Sequence, residues 1–306
     1  MKKLLCVLLS ALFILSVFAG CSKVKEVTFS PVEGETDADV RIVSFNVAAP
    51  WGNVLKGTSG NARVKRFAAY MNAVKPDSIG TQEMNSEWME RLAELMPEYD
   101  SYGVQRGGDD NEKKSEMNSI FWLKDKYDCL DSGTFWLSET PDTESRYEGA
   151  GCYRVCSYVK LLNKETGECY YHFNTHLDNA SDEARVFGAD VIRERIMMIT
   201  AASSQFVSGI ILTGDFNDYE HGKPIQTISE TLTNCSSVLP EEKREHGSGI
   251  TYHAWGESSD YDTGYFSPLD YIFTDAEPVS YLILNDTTNG YVSDHYGVYS
   301  AIKFKK

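Results

Sequence analysis

From Asp39 to the C-terminus, short β-branched and aromatic runs alternate with runs of helical period, and no linker or repeat interrupts them. This alternation limits the chain to architectures in which sheets and helices stack in layers, because each element has one apolar face to bury. Strands are predicted at 40–47, 119–124, 153–162, 170–174, 209–213, 271–273 and 297–304, several with period-two patterning such as Val155, Ser157, Tyr158, Val159. Helices are predicted at 61–74, 86–96 and 182–206. In the last, Ala184, Phe187, Val191, Ile192, Ile196 and Ile199 collect on one face, behind the acidic, cap-competent start Ser181-Asp182-Glu183. Residues 39–306 suffice for one layered α/β domain with a large core.

The N-terminus reads as an export signal. Lys2 and Lys3 precede an apolar run from Leu4 to Phe18, too short for a membrane span, which ends in Phe18-Ala19-Gly20-Cys21. Small residues directly before a cysteine resemble the lipobox of bacterial lipoproteins. That resemblance implies a signal peptide over residues 1–20 and lipidation of Cys21. It also implies a location in the bacterial cell envelope, anchored to a membrane and facing the periplasm or the exterior. Residues 21–38 are polar and aperiodic and read as a tether.

Losing residues 1–20 removes Lys2, Lys3 and no acid, which takes the formal charge from −16 to −18. So acidic a surface gives no support for broad electrostatic binding of nucleic acid. It leaves a nucleic-acid substrate open, because a bound metal reverses the sign of a site locally. Beyond Cys21 there remain Cys129, Cys152, Cys156, Cys169 and Cys235, an odd number that leaves at least one thiol unpaired. Cys152 and Cys156 have no second cysteine or histidine pair at ligand spacing, so buried or bridged roles are expected rather than metal binding.

The chemistry-bearing groups sit at strand ends and adjacent turns. They are Ser44-Phe45-Asn46-Val47, Thr81-Gln82-Glu83, Asn174-Thr175-His176-Leu177-Asp178, Gly214-Asp215-Phe216-Asn217, Leu269-Asp270-Tyr271 and Ser293-Asp294-His295. In extended chain, residues two apart face one side, so Asp215 is expected to project with Asn217, and His176 with Asp178. Each motif alone is also ordinary turn or strand-edge chemistry. Six of them in succession point to a shared metal and phosphate site.

In this order, and over nearly the whole chain from Val40 to Tyr299, the motifs resemble those of the endonuclease/exonuclease/phosphatase superfamily of metal-dependent phosphoesterases. Gly214-Asp215-Phe216-Asn217 and Ser293-Asp294-His295 are the most specific marks. The phrase Ser132-Gly133-Thr134-Phe135-Trp136-Leu137-Ser138 is similar to one common in its secreted bacterial members. The resemblance implies a four-layered α/β sandwich, two packed mixed β-sheets flanked by helices, with the site at one end of the sheets.

It also implies roles. Glu83 is the principal ligand of Mg²⁺ or Mn²⁺, supported by Asn46 and by Asp294 directly or through water. His295 is a base oriented by Asp270, and Asp215 orients or deprotonates the attacking water. The resemblance leaves open which of His295 and Asp215 takes the proton. Asn217 and His176 donate to phosphoryl oxygens. Arg154, before a strand, contacts a substrate phosphate, with Tyr153 as a weaker candidate. The aromatic run Thr251-Tyr252-His253-Ala254-Trp255, with Tyr261, Tyr265 and Phe266, is a candidate pocket wall. Lys23 and Lys25 are too few to define a lipid-headgroup site.

The expected activity is hydrolysis of a phosphodiester or phosphomonoester outside the cytoplasm. The substrate is expected to be a lipid headgroup, a sugar phosphate or a nucleic acid, and no protein partner is implied. A nuclease acting on DNA or RNA is the alternative within the family. A surface binding lipoprotein without turnover is the alternative of another class, and the intact set Glu83, His176, Asp215, Asn217, Asp270 and His295 speaks against it.

Overall fold

The computed structural model describes residues 24–30, 35–49, 60–108, 115–237, 244–245, 249–257 and 268–305. Cys21, the signal segment, Lys23, Tyr261, Tyr265 and Phe266 lie outside the described residues. The first half runs β1 (Val40–Asn46), α1 (Gly60–Val74), β2 (Ser78–Met84), α2 (Ser86–Leu95), β3 (Tyr99–Tyr102), β4 (Met117–Leu123), β5 (Tyr127–Trp136), β6 (Val155–Asn163) and β7 (Cys169–His176). The second runs α3 (Asp182–Ala201), β8 (Gly209–Asp215), α4 (Lys223–Ser229), β9 (Thr233–Asn234), β10 (Arg244–Glu245), β11 (Asp270–Thr274), β12 (Glu277–Leu284) and β13 (Gly297–Lys303).

Two mixed sheets form. One has the order β10-β12-β13-β1-β2-β4-β3, the other β5-β6-β7-β8-β11-β9. On β1, Val43 and Phe45 point to a core shared with Val64, Phe67 and Met71 of α1 and Trp88 and Leu92 of α2. Val40 and Ile42, one pleat away, join Trp122, Leu161, Tyr170, Ile211 and Ile302 between the sheets. Phe173, Leu212 and Phe273 on the far face of the second sheet pack against Ala189, Ile192 and Ile196 of α3 and Ile225 and Ile228 of α4. The result is four layers, helices–sheet–sheet–helices. Among the described residues no helix is long and apolar enough to cross a membrane.

Local chemistry sets most element ends. The Asn85 side chain caps α2 by accepting from Trp88 N at 2.9 Å, and Ser181 caps α3 by accepting from Ala184 N at 3.2 Å. The helix expected to reach Phe206 stops at Ala201, where the Ser203 hydroxyl turns the chain by bonding Gln205 O at 2.9 Å. The segment read as a tether is partly docked. Val27 and Phe29 pack on the helix-side core, and the buried Glu35 accepts from Ser280 Oγ and Tyr299 Oη. All five described cysteines are free thiols.

The inter-sheet layer changes character along the strands. On its inward face β7 passes from Tyr170 to His172, Asn174 and His176, and β8 from Ile211 to Thr213 and Asp215. The new polar groups satisfy one another: Gln82 Nε2 donates to Asn174 Oδ1 at 2.7 Å, Asn174 Nδ2 to Thr81 O at 2.8 Å, and His172 bridges Ser78 Oγ and Thr213 Oγ1. The sheets approach closely here. A Cβ on Gly80 would lie 2.0 Å from Thr213 Oγ1, so only glycine fits. This belt is the floor of the candidate site.

Candidate active site

β1, β2, β7 and β8 end, and β11 and β13 begin, at one edge of the sandwich. Register brings their terminal residues together, with His176 opposite Asp215 in the parallel β7–β8 pair and Asp215 opposite Asp270 in the antiparallel β8–β11 pair. Asn46 and Gln82 are paired at the ends of β1 and β2. The next residue, Glu83, has φ +59° and falls where the β2–β4 register shifts between Thr81 and Met84. That bulge re-aims its carboxylate out of the ladder.

Asn46 Nδ2 links two acids, donating to Glu83 Oε1 at 3.0 Å and to Asp215 Oδ2 at 2.9 Å, while Ala49 N donates to Glu83 Oε2 at 2.7 Å. His295 Nδ1 and Asp270 Oδ2 are 2.8 Å apart, and His295 Nε2 lies 3.8 Å from Asp215 Oδ2. His176 Nε2 is 3.5 Å from the same oxygen. Asn217 Nδ2 donates to Leu177 O at 3.1 Å and lies 3.0 Å from His176 Nε2.

Burial and charge distort these groups in different directions. Burial, and then the neighbouring Asp270 charge, push Asp215 up to about 7. Burial alone would push the His295 imidazole down, but the Asp270 and Asp215 carboxylates outweigh it and hold it at about 10. His176 stays neutral, because burial and the Arg154, Arg106 and His295 charges all oppose a proton there. Asp294 is raised by burial and by Glu83.

Crowded carboxylates of this kind repel each other unless a cation or protons intervene, and oxygen donors suit a hard divalent ion. Asp270 Oδ1 is buried without a hydrogen-bond partner. Asp215, Asp270 and His295 offer ligand atoms within 4.8 Å of one another, but His295 Nδ1 and Asp270 Oδ2 already bond each other. Glu83 and Asp294 line the same cavity, their carboxylates accepting from Asn46, Ala49 N and Ser293 rather than pairing with a histidine ring.

The cavity is about 450 Å³, lined by Glu83, Asp294, Asp215, His295, His176 and Asn217, and on a second wall by Arg106, Glu116, Cys152 and Arg154. Arg154 is 7% exposed; its Nη2 donates to Asn179 Oδ1 at 3.1 Å, while Nε and Nη1 have no hydrogen-bond partner. Tyr252, from the aromatic run, lines the pocket and packs on the His295 ring at 5.0 Å between centroids.

Two expectations of projection are corrected. Asp215 and Asn217 do meet in the pocket, but not by strand alternation: β8 ends at Asp215, and Asn217 (φ +48°) turns back with its N–H on Asp215 Oδ1 at 2.9 Å. Asp178 does not follow His176 into the cavity. Its carboxylate accepts from the N–H groups of Gly151, Cys152, Ala180 and Ser181 and lies 3.7 Å from Arg154 Nε, so it fixes the segment carrying Arg154. Tyr153 is not among the lining residues; its ring fills the space beside Gly108. Sequence reasoning missed Arg106, Glu116 and Asn179. Asn179 is flagged only by adjacency to the His176 motif, and nothing in the local pattern marks the other two.

A model of the Endonuclease/Exonuclease/phosphatase family matches residues 43–295. No curated protein sequence matched the chain. Among solved structures, a mannosyl-6-phosphatase of Bacteroides thetaiotaomicron is similar at 28% identity over 87% of this chain and 100% of that one, with a TM-score of 0.75. An endonuclease/exonuclease/phosphatase from Bacteroides vulgatus matches at 27% identity over 87% and 99%, with a TM-score of 0.77. The catalytic domain of human Nocturnin, at 17% identity over 87% and 94% and a TM-score of 0.64, shares the fold. With the family's motifs in order at one sheet edge, the chain belongs to the Endonuclease/Exonuclease/phosphatase family and is a hydrolase of phosphoester bonds.

Proposed function

We propose that the protein is a divalent-metal-dependent phosphomonoesterase acting on a small sugar phosphate in the cell envelope. The carrying observation is the buried Arg154 guanidinium, whose Nε and Nη1 make no hydrogen bond, in the lining of a pocket that also gathers Glu83, Asp215 and Asp294. A planar fork suits a terminal phosphate, and clustered acids suit Mg²⁺ or Mn²⁺. The similar Bacteroides thetaiotaomicron structure is named a mannosyl-6-phosphatase, which supports a sugar monoester. The acidic charge disfavours a polyanion such as DNA or RNA.

In this reading Glu83, with Asn46 and Asp294, holds the cation. When bound, that ion polarises a phosphoryl oxygen and stabilises the leaving oxygen. Asp215 accepts the proton of the attacking water. His295 carries its positive charge toward the phosphoryl group, because Asp270 on Nδ1 favours the imidazolium. Arg154 and the Asn217 amide donate to oxygens on which charge grows. No covalent intermediate on the chain is needed. Anchoring through Cys21 is part of the same proposal, supported by Ala19-Gly20-Cys21 after the apolar run; Cys21→Ala should move the protein from membrane to soluble fractions.

The test is a substrate panel with Mg²⁺ or Mn²⁺ and an EDTA control: hexose 6-phosphates, plasmid DNA, RNA, sphingomyelin and phosphatidylinositol phosphates. Metal-dependent release of phosphate from hexose 6-phosphates, well above all other arms, is expected. Faster cleavage of DNA or RNA, or turnover indifferent to EDTA, contradicts the proposal.

A further inference from the structure

The Arg106–Glu116 pair has no task in the scheme above, yet it is built into the pocket wall. Arg106 Nη1 donates to Glu116 Oε2 at 2.6 Å, with the two side chains 17% and 14% exposed. The backbone around the pair is fixed as tightly. Gln105 bridges Met117, Arg106 N donates to Glu116 O at 2.9 Å, and Trp136 Nε1 donates to Arg106 O at 2.8 Å. Partial withdrawal of such a pair from water offsets much of its attraction, so stability is a poor reason for it.

We infer that Arg106 and Glu116 form a hydroxyl-reading subsite that selects a neutral, polyhydroxylated leaving group, the sugar portion of the phosphomonoester proposed above, on which this inference rests. A sugar hydroxyl is both donor and acceptor, and a guanidinium beside a carboxylate offers the matching acceptor and donors. The pair is nearly neutral in sum, so it adds little pull on a second phosphate. The Glu116 carboxylate lines the pocket, and its negative charge opposes a second phosphate on the substrate, which disfavours a bisphosphate or a polynucleotide. Arg154, whose Nε and Nη1 make no hydrogen bond, is left as the phosphate ligand.

The experiment compares wild type with Glu116→Gln and, separately, Arg106→Gln on mannose 6-phosphate, phenyl phosphate and fructose 1,6-bisphosphate. Phenyl phosphate has no hydroxyl to read. Both variants should lower the kcat/KM ratio of mannose 6-phosphate to phenyl phosphate about tenfold, chiefly through KM for the sugar. Glu116→Gln should also narrow the preference for the monophosphate over the bisphosphate. A ratio that stays within twofold of wild type in both variants, with turnover intact, overturns the subsite and leaves the phosphomonoesterase reading standing. Wild type that releases no phosphate from any of the three overturns that reading, and the subsite with it. Should either variant fold poorly by circular dichroism, the Ki of free mannose on the wild type and the other variant decides: weaker inhibition in the variant supports the subsite, and equal inhibition overturns it.

Discussion

Glu83, Asp215 and Asp294 gather on one wall of the pocket with Asp270 behind His295, while Arg106 and Arg154 stand with Glu116 and Cys152 on another. The acidic wall consists of residues at strand ends and is pinned by ladder register and by Asn46. The guanidinium wall hangs on loops and is pinned by side chains, Asp178 behind Arg154 and Glu116 against Arg106. The first geometry is set by the sheets themselves. The second depends on a few polar clamps, so substitutions on the two walls should fail in different ways.

The largest effects should come from the acidic wall. His295→Ala and Asp215→Asn are each expected to lower kcat by about 10³-fold with near-native circular dichroism; activity within tenfold of wild type removes them from the chemistry. Glu83→Gln should act through the ion, raising the half-activating Mn²⁺ concentration at least about tenfold. An unchanged metal requirement would move the cation site elsewhere.

On the guanidinium wall, Arg154→Met should cost about 10²-fold in kcat/KM, with partial recovery in Arg154→Lys, which keeps the charge but not the fork. Asp178→Asn tests the clamp. Burial alone would raise that carboxyl, but the N–H groups of Ala180, Gly151 and Ser181 and the Arg154 charge hold it below the usual range. Its amide should raise KM several-fold and lower Tm, leaving metal activation as it was. If metal activation also shifts, the two walls are not independent.

The smallest effect concerns the floor. His172 lies buried between Ser78 and Thr213, and burial lowers its imidazole to about 3. A lowered histidine binds its proton more tightly when unfolded, so its stabilisation is complete above about pH 6.5 and is lost progressively as pH falls toward 3. His172→Gln should flatten the urea midpoint against pH over that window; an identical slope means that another group sets it.

The acidic wall was legible in the sequence because a strand end fixes where its residue points. Asn46, Glu83, His176, Asp215, Asp270 and His295 could be placed from motifs a few residues long. The layered fold was legible for the same reason, through the alternation on β1, β6 and β13. Elements without that period escaped: β5 carries Asp-Cys-Leu-Asp-Ser-Gly on an edge where most side chains are exposed, and α4 has only seven residues. Arg106 and Glu116 escaped because their partnership is made beside an isolated bridge between Gln105 and Met117, with no local period to mark it. Asp178 misled because alternation was extended past the end of β7, where turn hydrogen bonds take over.

The most direct test is anomalous diffraction from crystals soaked in Mn²⁺ with inorganic phosphate. The expected result is an ion bound by Glu83, with phosphate between it and the Arg154 guanidinium and within reach of Asn217. An ion remote from Glu83, or phosphate bound away from both walls, would contradict the convergence on which the account depends.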